Sequence, residues 1–225
     1  MSTAPIITAP ISTAPITIES MDAKYNRPVG RLLAQAFHGK FSRRTELGGG
    51  DLAPHFEKLL QYVPAEPFTQ RMVALQEGEV IGSIAIKRKP MLNALTPTQK
   101  IPLAEIVSLF GNWRMIQMLI GLHVLDHEPE AGECYIADLA VHSDQQGKGI
   151  GRLLIQWARH VVDTDPQLDR LSLHVSSGNL RARQLYEKLS FHTSSREKRF
   201  ILFVLCNQWE WEYMVQEKGG AGRSC

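Results

Sequence analysis

The glycine-rich hexapeptide at residues 146–151, Gln-Gly-Lys-Gly-Ile-Gly, constrains this chain more than any other feature. It lies between an apolar run that ends at Val141 and an amphipathic run that begins at Arg152, which predicts a strand, a tight turn and a helix. Backbone N–H groups in such a turn, with about half a unit of positive charge at the helix start, form an anion site. The sequence therefore predicts that a phosphorylated ligand binds here.

Two familiar phosphate-binding patterns do not fit this hexapeptide. The dinucleotide pattern G-x-G-x-x-G requires a third glycine where this chain has Arg152. The nucleotide-triphosphate pattern G-x-x-x-x-G-K-[ST] requires a first glycine where this chain has His142, and a Ser or Thr where it has Gly149. A different pattern, Q/R-x-x-G-x-G/A, does fit, with Gln146, Gly149 and Gly151 in its fixed positions.

A second pattern follows at residues 179–191, Asn-Leu-Arg-Ala-Arg-Gln-Leu-Tyr-Glu-Lys-Leu-Ser-Phe. With the first, it resembles the paired signatures of the GNAT family of N-acetyltransferases, the second of which reads N-x-x-A-x-x-x-Y-x-x-x-G-F. The asparagine, alanine, tyrosine and phenylalanine are in register, whereas Ser190 stands where glycine is usual. Serine there is expected to cost a little stability at the end of a helix. The resemblance covers residues 130–195.

The resemblance implies a fold and a reaction. The fold is α/β (α+β), the acyl-CoA N-acyltransferase fold, in which a twisted mixed sheet is flanked by helices on both faces. The reaction is direct transfer of acetyl from acetyl-CoA to the primary amine of a small molecule, in which binding and orientation carry much of the rate. The cofactor contacts that it implies are Leu139, Ala140, Val141, Gln146, Gly147, Lys148, Gly149, Ile150, Gly151, Arg152, Asn179 and Tyr186.

Tyr186 is the candidate general acid, because a phenol beside the leaving thiolate can give it a proton. The candidate base is Glu133, acting through water. Histone-acetylating relatives carry a glutamate where this chain has Tyr135, and Glu133 lies two residues earlier on the same strand face. Asp138 has the opposite parity and ranks lower. A backbone N–H near Ala140 is expected to polarise the thioester carbonyl.

Composition restricts the classes of partner and compartment. Hydrophobic residues make up 44% and charged residues 21% of 225 residues, as in ordinary globular domains. The net charge of +2 predicts no nucleic-acid partner, and no apolar run reaches the ~18 residues of a membrane span. The three cysteines form neither a disulfide framework nor a metal-binding spacing, which favours the cytoplasm. No signal peptide is expected, and a homodimer is compatible with the resemblance.

The chain is predicted to hold a single N-acetyltransferase domain at residues 16–218. Residues 1–15 contain Thr-Ala-Pro three times and are predicted to form an extended or flexible tail, because proline interrupts helices and strand ladders. Residues 219–225 are expected to form a second loose tail. Residues 88–131 exceed the usual connection between the third and fourth strands, so a helical insertion that selects the acceptor or supports a dimer is expected there.

Local patterns predict the remaining elements. Helices are expected over residues 21–37, with Ser20 or Asp22 as cap, and over 52–62. Residues 70–77 and 80–86 are expected to form a hairpin around Gly78-Glu79, and residues 200–205 and 209–215 a closing hairpin. Further strands are expected over 134–141 and 170–176, and Asp165-Pro166 is expected to end the helix that follows the loop.

Several features admit other interpretations. His123 and His127 have helical metal-ligand spacing, but a polar helix end is favoured. Cys134 is expected to be a buried strand cysteine rather than an acyl carrier. The basic clusters 87–89 and 196–199 are expected to be solvated, and either could meet the 3′-phosphate of the cofactor. The acceptor could instead be a protein N-terminus or lysine, and the chain could be a non-catalytic acyl-CoA sensor or bind another pyrophosphate.

Overall fold

A computed structural model describes residues 14–41, 53–62, 68–89, 127–198 and 210–219. Within these ranges the helices are α1 Asn26–Phe41, α2 Ala53–Tyr62, α3 Ile150–Thr164 and α4 Leu180–Lys188. The strands are β1 Ile16–Ser20, β2 Thr69–Gln76, β3 Glu79–Arg88, β4 Glu133–Val141, β5 Arg170–Ser176, β6 His192–Lys198 and β7 Glu210–Glu217. Short 3-10 turns lie at Ala23–Tyr25 and Ser143–Gln145.

The strands form one mixed sheet in the order β1-β2-β3-β4-β5-β7-β6. The β4–β5 pair is parallel and every other neighbouring pair is antiparallel. A parallel pair requires a crossover connection, and α3 supplies it. The predicted mixed sheet is therefore confirmed.

Helices cover both faces of the sheet, as predicted. On one face α3 buries a stripe at helical spacing, including Leu154 and Ile155, against a core that contains Ile84 and Leu171. On the other face α1 and α2 pack on the first half of the sheet through residues such as Val29, Phe56 and Val73. We refer to these as the α3 face and the α1 face.

The ladder between β4 and β5 is short. It runs over four residue pairs, from Glu133↔Arg170 to Ile136↔Leu173, although β4 continues to Val141 and β5 to Ser176. Beyond the last pair, among the described strands, each of the two stays bonded only to its outer neighbour, β3 or β7. The facing backbone edges of β4 and β5 therefore border a gap in the middle of the sheet.

A β-bulge in β4 lies where this gap begins. Ile136 pairs with Ile86 and Asp138 pairs with Ala85, which leaves Ala137 as the extra residue. A bulge inverts the alternation of side chains that follow it. Asp138 therefore lies on the same face as Tyr135, and the opposite parity expected for it from simple alternation is wrong.

Most predicted elements lie within two residues of their expected bounds, and the structure differs from the predictions in three details. The turn of the first hairpin falls at Glu77-Gly78, both with positive φ, one residue earlier than predicted. The first helix begins later, after a 3-10 turn that Asp22 caps through Lys24 N–H. Strand β6 was not predicted, because its sequence His-Thr-Ser-Ser-Arg-Glu-Lys lacks apolar alternation.

Several predictions concern residues that are not described. The predicted strand at 200–205, most of the insertion at 88–131 and most of both tails lie outside the described ranges. At the end of the predicted N-terminal tail, the Ala14 carbonyl accepts a hydrogen bond from Gln76 Nε2 at 3.1 Å. The predicted domain bounds remain predictions.

The end of α4 forms a hydrogen-bonded cap that requires left-handed backbone at Ser190. Its φ is +65°, the Ser190 N–H donates to Glu187 O and the Phe191 N–H donates to Tyr186 O. The rings of Tyr186 and Phe191 lie 5.8 Å apart, which completes the hydrophobic contact of such a cap. A non-glycine residue is strained in this conformation, so the expected cost of serine has a structural cause.

We expect Ser190→Gly to raise the free energy of unfolding by roughly 0.5–1 kcal/mol, because relief of left-handed strain exceeds the entropy that glycine adds to the unfolded chain. Chemical denaturation of the two proteins measures this difference. Ser195→Gly, in the extended strand β6, is the matched control and should destabilise. A fall in stability for Ser190→Gly would contradict the explanation.

Candidate active site

The gap between β4 and β5 opens into a groove of about 800 Å³. The structure brings together on its walls all but one of the residues expected to contact the cofactor. The lining includes Leu139, Ala140, Val141, Gln146, Gly147, Gly149, Ile150, Gly151, Arg152, Asn179 and Tyr186. Lys148 is exposed and is not part of this lining.

The glycine-rich loop has the backbone that its sequence predicted. Gly147 and Gly149 have φ of +84° and +90°, a region that L-residues with side chains rarely adopt. Gly149 is also the N-cap of α3, so the free N–H groups of the first helical turn lie beside the groove. The loop therefore presents partial positive charge to a bound anion.

Arg181, which was not predicted as a site residue, contacts the glycine-rich loop. Arg181 Nη1 donates to Gln146 Oε1 at 3.0 Å, and Gln146 Nε2 donates to the Val141 carbonyl at 3.2 Å. Arg181 also lines the groove, so a full positive charge lies near the N-terminus of α3. Its position two residues after Asn179 in the second signature was the available signal.

Helix α4 holds Tyr186 at the groove. Asn179 caps the helix by accepting from the Ala182 N–H, and Arg183 pairs at 3.2 Å with the buried carboxylate of Glu212 on β7. Burial raises the pKa of Tyr186 to about 12. The phenol therefore keeps its proton throughout the physiological pH range.

The α1 face supplies a different wall of the groove. Tyr135, His174 and Trp211 line it from β4, β5 and β7, and Leu33 and Ala36 line it from α1. The Tyr135 hydroxyl lies 3.1 Å from His174 Nδ1. None of these five residues was predicted as part of the site, because they are brought together by strand pairing rather than by a local motif.

Glu133 does not line the groove but lies fully buried beneath this wall. Oε1 accepts hydrogen bonds from Tyr213 Oη at 2.7 Å and from the Ser172 hydroxyl, and contacts His127 Nε2 at 2.9 Å. Oε2 accepts from the Glu130 N–H at 2.7 Å.

These contacts control the ionisation of Glu133. Burial alone would raise its pKa, but the hydrogen bonds from His127, Ser172, the Glu130 N–H and Tyr213 outweigh burial and lower the pKa to about 2. A carboxylate stabilised in this way is a weak base. The predicted base function of Glu133 remains a prediction that the geometry does not favour.

Other candidate residues have partners of their own. Asp138 forms a bidentate pair with Arg71 at 2.6 and 2.7 Å, which occupies both carboxylate oxygens. Cys134 is buried, and burial raises the pKa of its thiol to about 12, which suits the structural cysteine that was predicted. In the basic clusters, Arg88 lies 3.5 Å from Asp165 and Arg196 lies 3.8 Å from Glu212.

Comparison with known families identifies the fold and the reaction class. The model of the acetyltransferase (GNAT) family matches residues 43–191. This chain belongs to the GNAT acetyltransferase family. It is therefore an acyltransferase, and acetyl-CoA is the acetyl donor that members of this family use.

Individual GNAT proteins resemble this chain either over a short segment of sequence or in fold at low sequence identity. The chain is 37% identical over 81 residues to mycothiol acetyltransferase of Tsukamurella paurometabola. The aligned segment is 35% of this chain and 27% of that protein. A GNAT acetyltransferase from Streptococcus pneumoniae aligns with a TM-score of 0.57 at 16% identity, covering 91% of this chain and 100% of that one. A spermidine N-acetyltransferase variant from Vibrio cholerae aligns with a TM-score of 0.55 at 18% identity, covering 90% and 94%. These structural matches establish the fold.

The residues of the groove fit the acetyl donor of the family. The open edge of β4 offers backbone groups to an extended arm, and the loop with Arg181 offers positive charge to phosphates at one end of the groove. Over the part of the chain that is described, no helix is long and apolar enough to cross a membrane.

We expect acid to destabilise the protein partly through Glu133. Its folded-state pKa of about 2 lies below the usual 4.5, so its contribution is present at neutral pH and is lost as pH falls towards 2. That loss should be on the order of 3 kcal/mol in the free energy of unfolding.

Denaturant unfolding at several pH values would measure this for the wild type and for Glu133→Gln. The variant should be less stable at neutral pH and should lack this part of the acid dependence. Glu130→Gln, whose carboxylate is exposed, is the control and should keep it. Parallel pH curves for wild type and Glu133→Gln would contradict the assignment.

Proposed function

We propose that this GNAT acetyltransferase moves acetyl from acetyl-CoA directly to the primary amine of a small molecule. The observation that carries the proposal is the gap between β4 and β5, which has the anion-binding loop and Tyr186 on its α3 side and Tyr135, His174 and Trp211 on its α1 side. A donor and an acceptor can therefore approach each other from opposite faces of the sheet.

In this proposal the predicted cofactor residues hold acetyl-CoA. The N–H groups of the Gly147–Gly151 loop and Arg181 bind its pyrophosphate, and the free edge of β4 around Leu139 to Val141 bonds its extended arm. When bound, acetyl-CoA supplies the acetyl group as a thioester. The Ala140 N–H remains the candidate donor to the thioester carbonyl.

The α1 side of the groove supports a small acceptor, because the donor is proposed to occupy the side that holds the glycine-rich loop. The acceptor wall is built from apolar and aromatic side chains of α1 and β7, which suits an organic amine. A peptide N-terminus or lysine as the acceptor remains the alternative.

The proposed function is tested by the release of free CoA from acetyl-CoA in the presence of separate amines. The panel contains polyamines, aminoglycosides, amino acids and peptides with a lysine or a free N-terminus. Release that depends on a small amine would support the proposal, and release only with peptides would favour the alternative. Tight acetyl-CoA binding without release across the panel would contradict the proposed class of acceptor.

Tyr186 is proposed to hold a proton on its phenol oxygen for the leaving sulfur. We expect Tyr186→Phe to lower kcat by roughly 10²-fold or more while acetyl-CoA affinity changes little, because the ring packing is retained. With its raised pKa, Tyr186 should produce no alkaline limb in the wild-type profile near neutral pH.

Steady-state kinetics and acetyl-CoA titration of the variant measure these effects. Tyr25→Phe is the matched control, because that hydroxyl contacts Glu19 at 2.9 Å away from the groove. An equal loss of kcat and of acetyl-CoA affinity in Tyr186→Phe would argue for a packing function instead.

The loop makes a separate prediction about acetyl-CoA affinity. Gly149→Ala meets no atom within 4 Å but must keep a φ of +90°, so we expect backbone strain of about 1–2 kcal/mol to weaken acetyl-CoA binding roughly tenfold. Titration calorimetry measures the change.

Gly78→Ala is a matched control with a similar φ of +82° and equally open surroundings, in the hairpin turn between β2 and β3. It should lower stability and leave acetyl-CoA affinity unchanged. Equal affinities for all three proteins would exclude the loop from the binding site.

The cellular compartment, the domain bounds and the oligomeric state of the enzyme are part of the same proposal. We place it in the cytoplasm, because Cys134 is a free buried thiol and the three cysteines of the sequence have no disulfide spacing. A single N-acetyltransferase domain at residues 16–218 and a homodimer also remain proposals.

A further inference from the structure

Helix α4, which carries Tyr186, is mostly exposed to solvent. Tyr186 is the one buried residue among the nine of this helix, all of which are described. The contact of Arg181 with Gln146 is exposed, so it restrains the helix only weakly. None of the described residues hydrogen-bonds the Tyr186 hydroxyl, whose pKa is raised by burial. The place of this hydroxyl in the groove therefore depends on how α4 itself is held.

Strand β7 holds α4 at two points, one on each side of Tyr186 in the sequence. Arg183 Nη1 lies 3.2 Å from Glu212 Oε1, and Gln216 Nε2 donates to the Leu189 carbonyl at 2.5 Å. Glu212 and Gln216 share one face of β7, because alternate residues of a strand point to the same side. We call these two contacts the β7 tethers.

The first tether is a charge pair that is anchored in the sheet. The Glu212 carboxylate is buried, and it also accepts hydrogen bonds from Thr193 Oγ1 at 2.8 Å and from Ser177 Oγ at 3.4 Å. These bonds fix the carboxylate before it meets Arg183. A charge-assisted hydrogen bond is stronger than a neutral one, so Glu212 is a firm attachment point for the helix.

The second tether is made by a glutamine that is imperfectly satisfied. Gln216 Oε1 is buried and has no hydrogen-bond partner in the described structure. An unpaired buried oxygen destabilises a fold, and an apolar side chain of similar length would not carry this penalty. The glutamine therefore contributes little net stability, which points to a function for its bond to the Leu189 carbonyl.

We propose that Glu212 and Gln216 are positioning residues that fix α4 and thereby hold the Tyr186 hydroxyl at the site of thioester cleavage. This inference rests on the proposed function, in which Tyr186 holds a proton for the leaving sulfur. Neither Glu212 nor Gln216 lines the groove, so both act through Tyr186. Two tethers prevent α4 from sliding or turning, and a shift of about 1 Å in a catalytic group can cost roughly 10²-fold in rate.

Gln216→Met removes the second tether and keeps the length of the side chain. We expect kcat to fall by about tenfold or more, because Tyr186 is held less precisely. Acetyl-CoA affinity and the melting temperature should change little, since the variant loses one hydrogen bond and also one unpaired buried oxygen. Steady-state kinetics, acetyl-CoA titration and thermal unfolding measure these quantities.

Gln76→Met is the matched control for this substitution. The Gln76 side chain also donates to a backbone carbonyl, that of Ala14 at 3.1 Å, and it does not line the groove. The control should therefore leave kcat unchanged.

The deciding measurement repeats Gln216→Met in a Tyr186→Phe background. Positioning acts only through the phenol, so the substitution should lower kcat by less than about twofold once the hydroxyl is absent. A merely structural effect would lower kcat by the same factor in both backgrounds. Arg183→Gln, which removes the first tether at a partly exposed position, should show the same dependence on the Tyr186 hydroxyl.

The outcomes separate this inference from the proposed function. Wild-type turnover tests acetyl transfer by itself, whereas the comparison of the two backgrounds tests the tethers. An unchanged kcat in Gln216→Met and Arg183→Gln, or equal losses with and without the Tyr186 hydroxyl, would overturn the inference even if the wild type is fully active. An unchanged kcat in Tyr186→Phe would overturn it together with the general-acid function.

Discussion

The early end of pairing between β4 and β5 is the constraint on which the rest of the structure depends. Parallel strands in the middle of a sheet normally bond along their whole length, but here only four pairs form before the backbones separate. The separation is stable because β3 and β7 hold the outer edges of the two strands. It creates an opening through a layer that would otherwise isolate the two faces from each other.

The two faces then supply different chemistry to one opening. The α3 face brings a helix N-terminus, Arg181 and a phenol whose pKa is raised by burial. The α1 face brings Tyr135 and His174 with a polar cavity behind them. In the proposed function the donor and the acceptor therefore bind on different faces, so the acceptor wall can change without changes in the anion-binding loop.

The parts of the site that depend on local sequence were predictable. The turn at Gly147 and Gly149 and the cap of α4 could be predicted, because they need backbone angles that few residues tolerate. The positions of Asn179 and Tyr186 could be predicted from their spacing along one helix. The bulge at Ala137 was not predictable, because pairing with β3 decides it, and it reversed the side chains that follow. The contact between Tyr135 and His174 joins positions 39 residues apart and required the sheet.

The buried carboxylate of Glu133 needs hydrogen-bond donors from several segments that are distant in the sequence. Its carboxylate is satisfied only when the segment before β4, Ser172 of β5 and Tyr213 of β7 are all in place. An intermediate that buried β4 without β7 would contain an incompletely bonded charge, which is costly in a low-dielectric interior. The central sheet should therefore form in one cooperative step that requires β7, so this strand determines when the middle of the fold becomes stable.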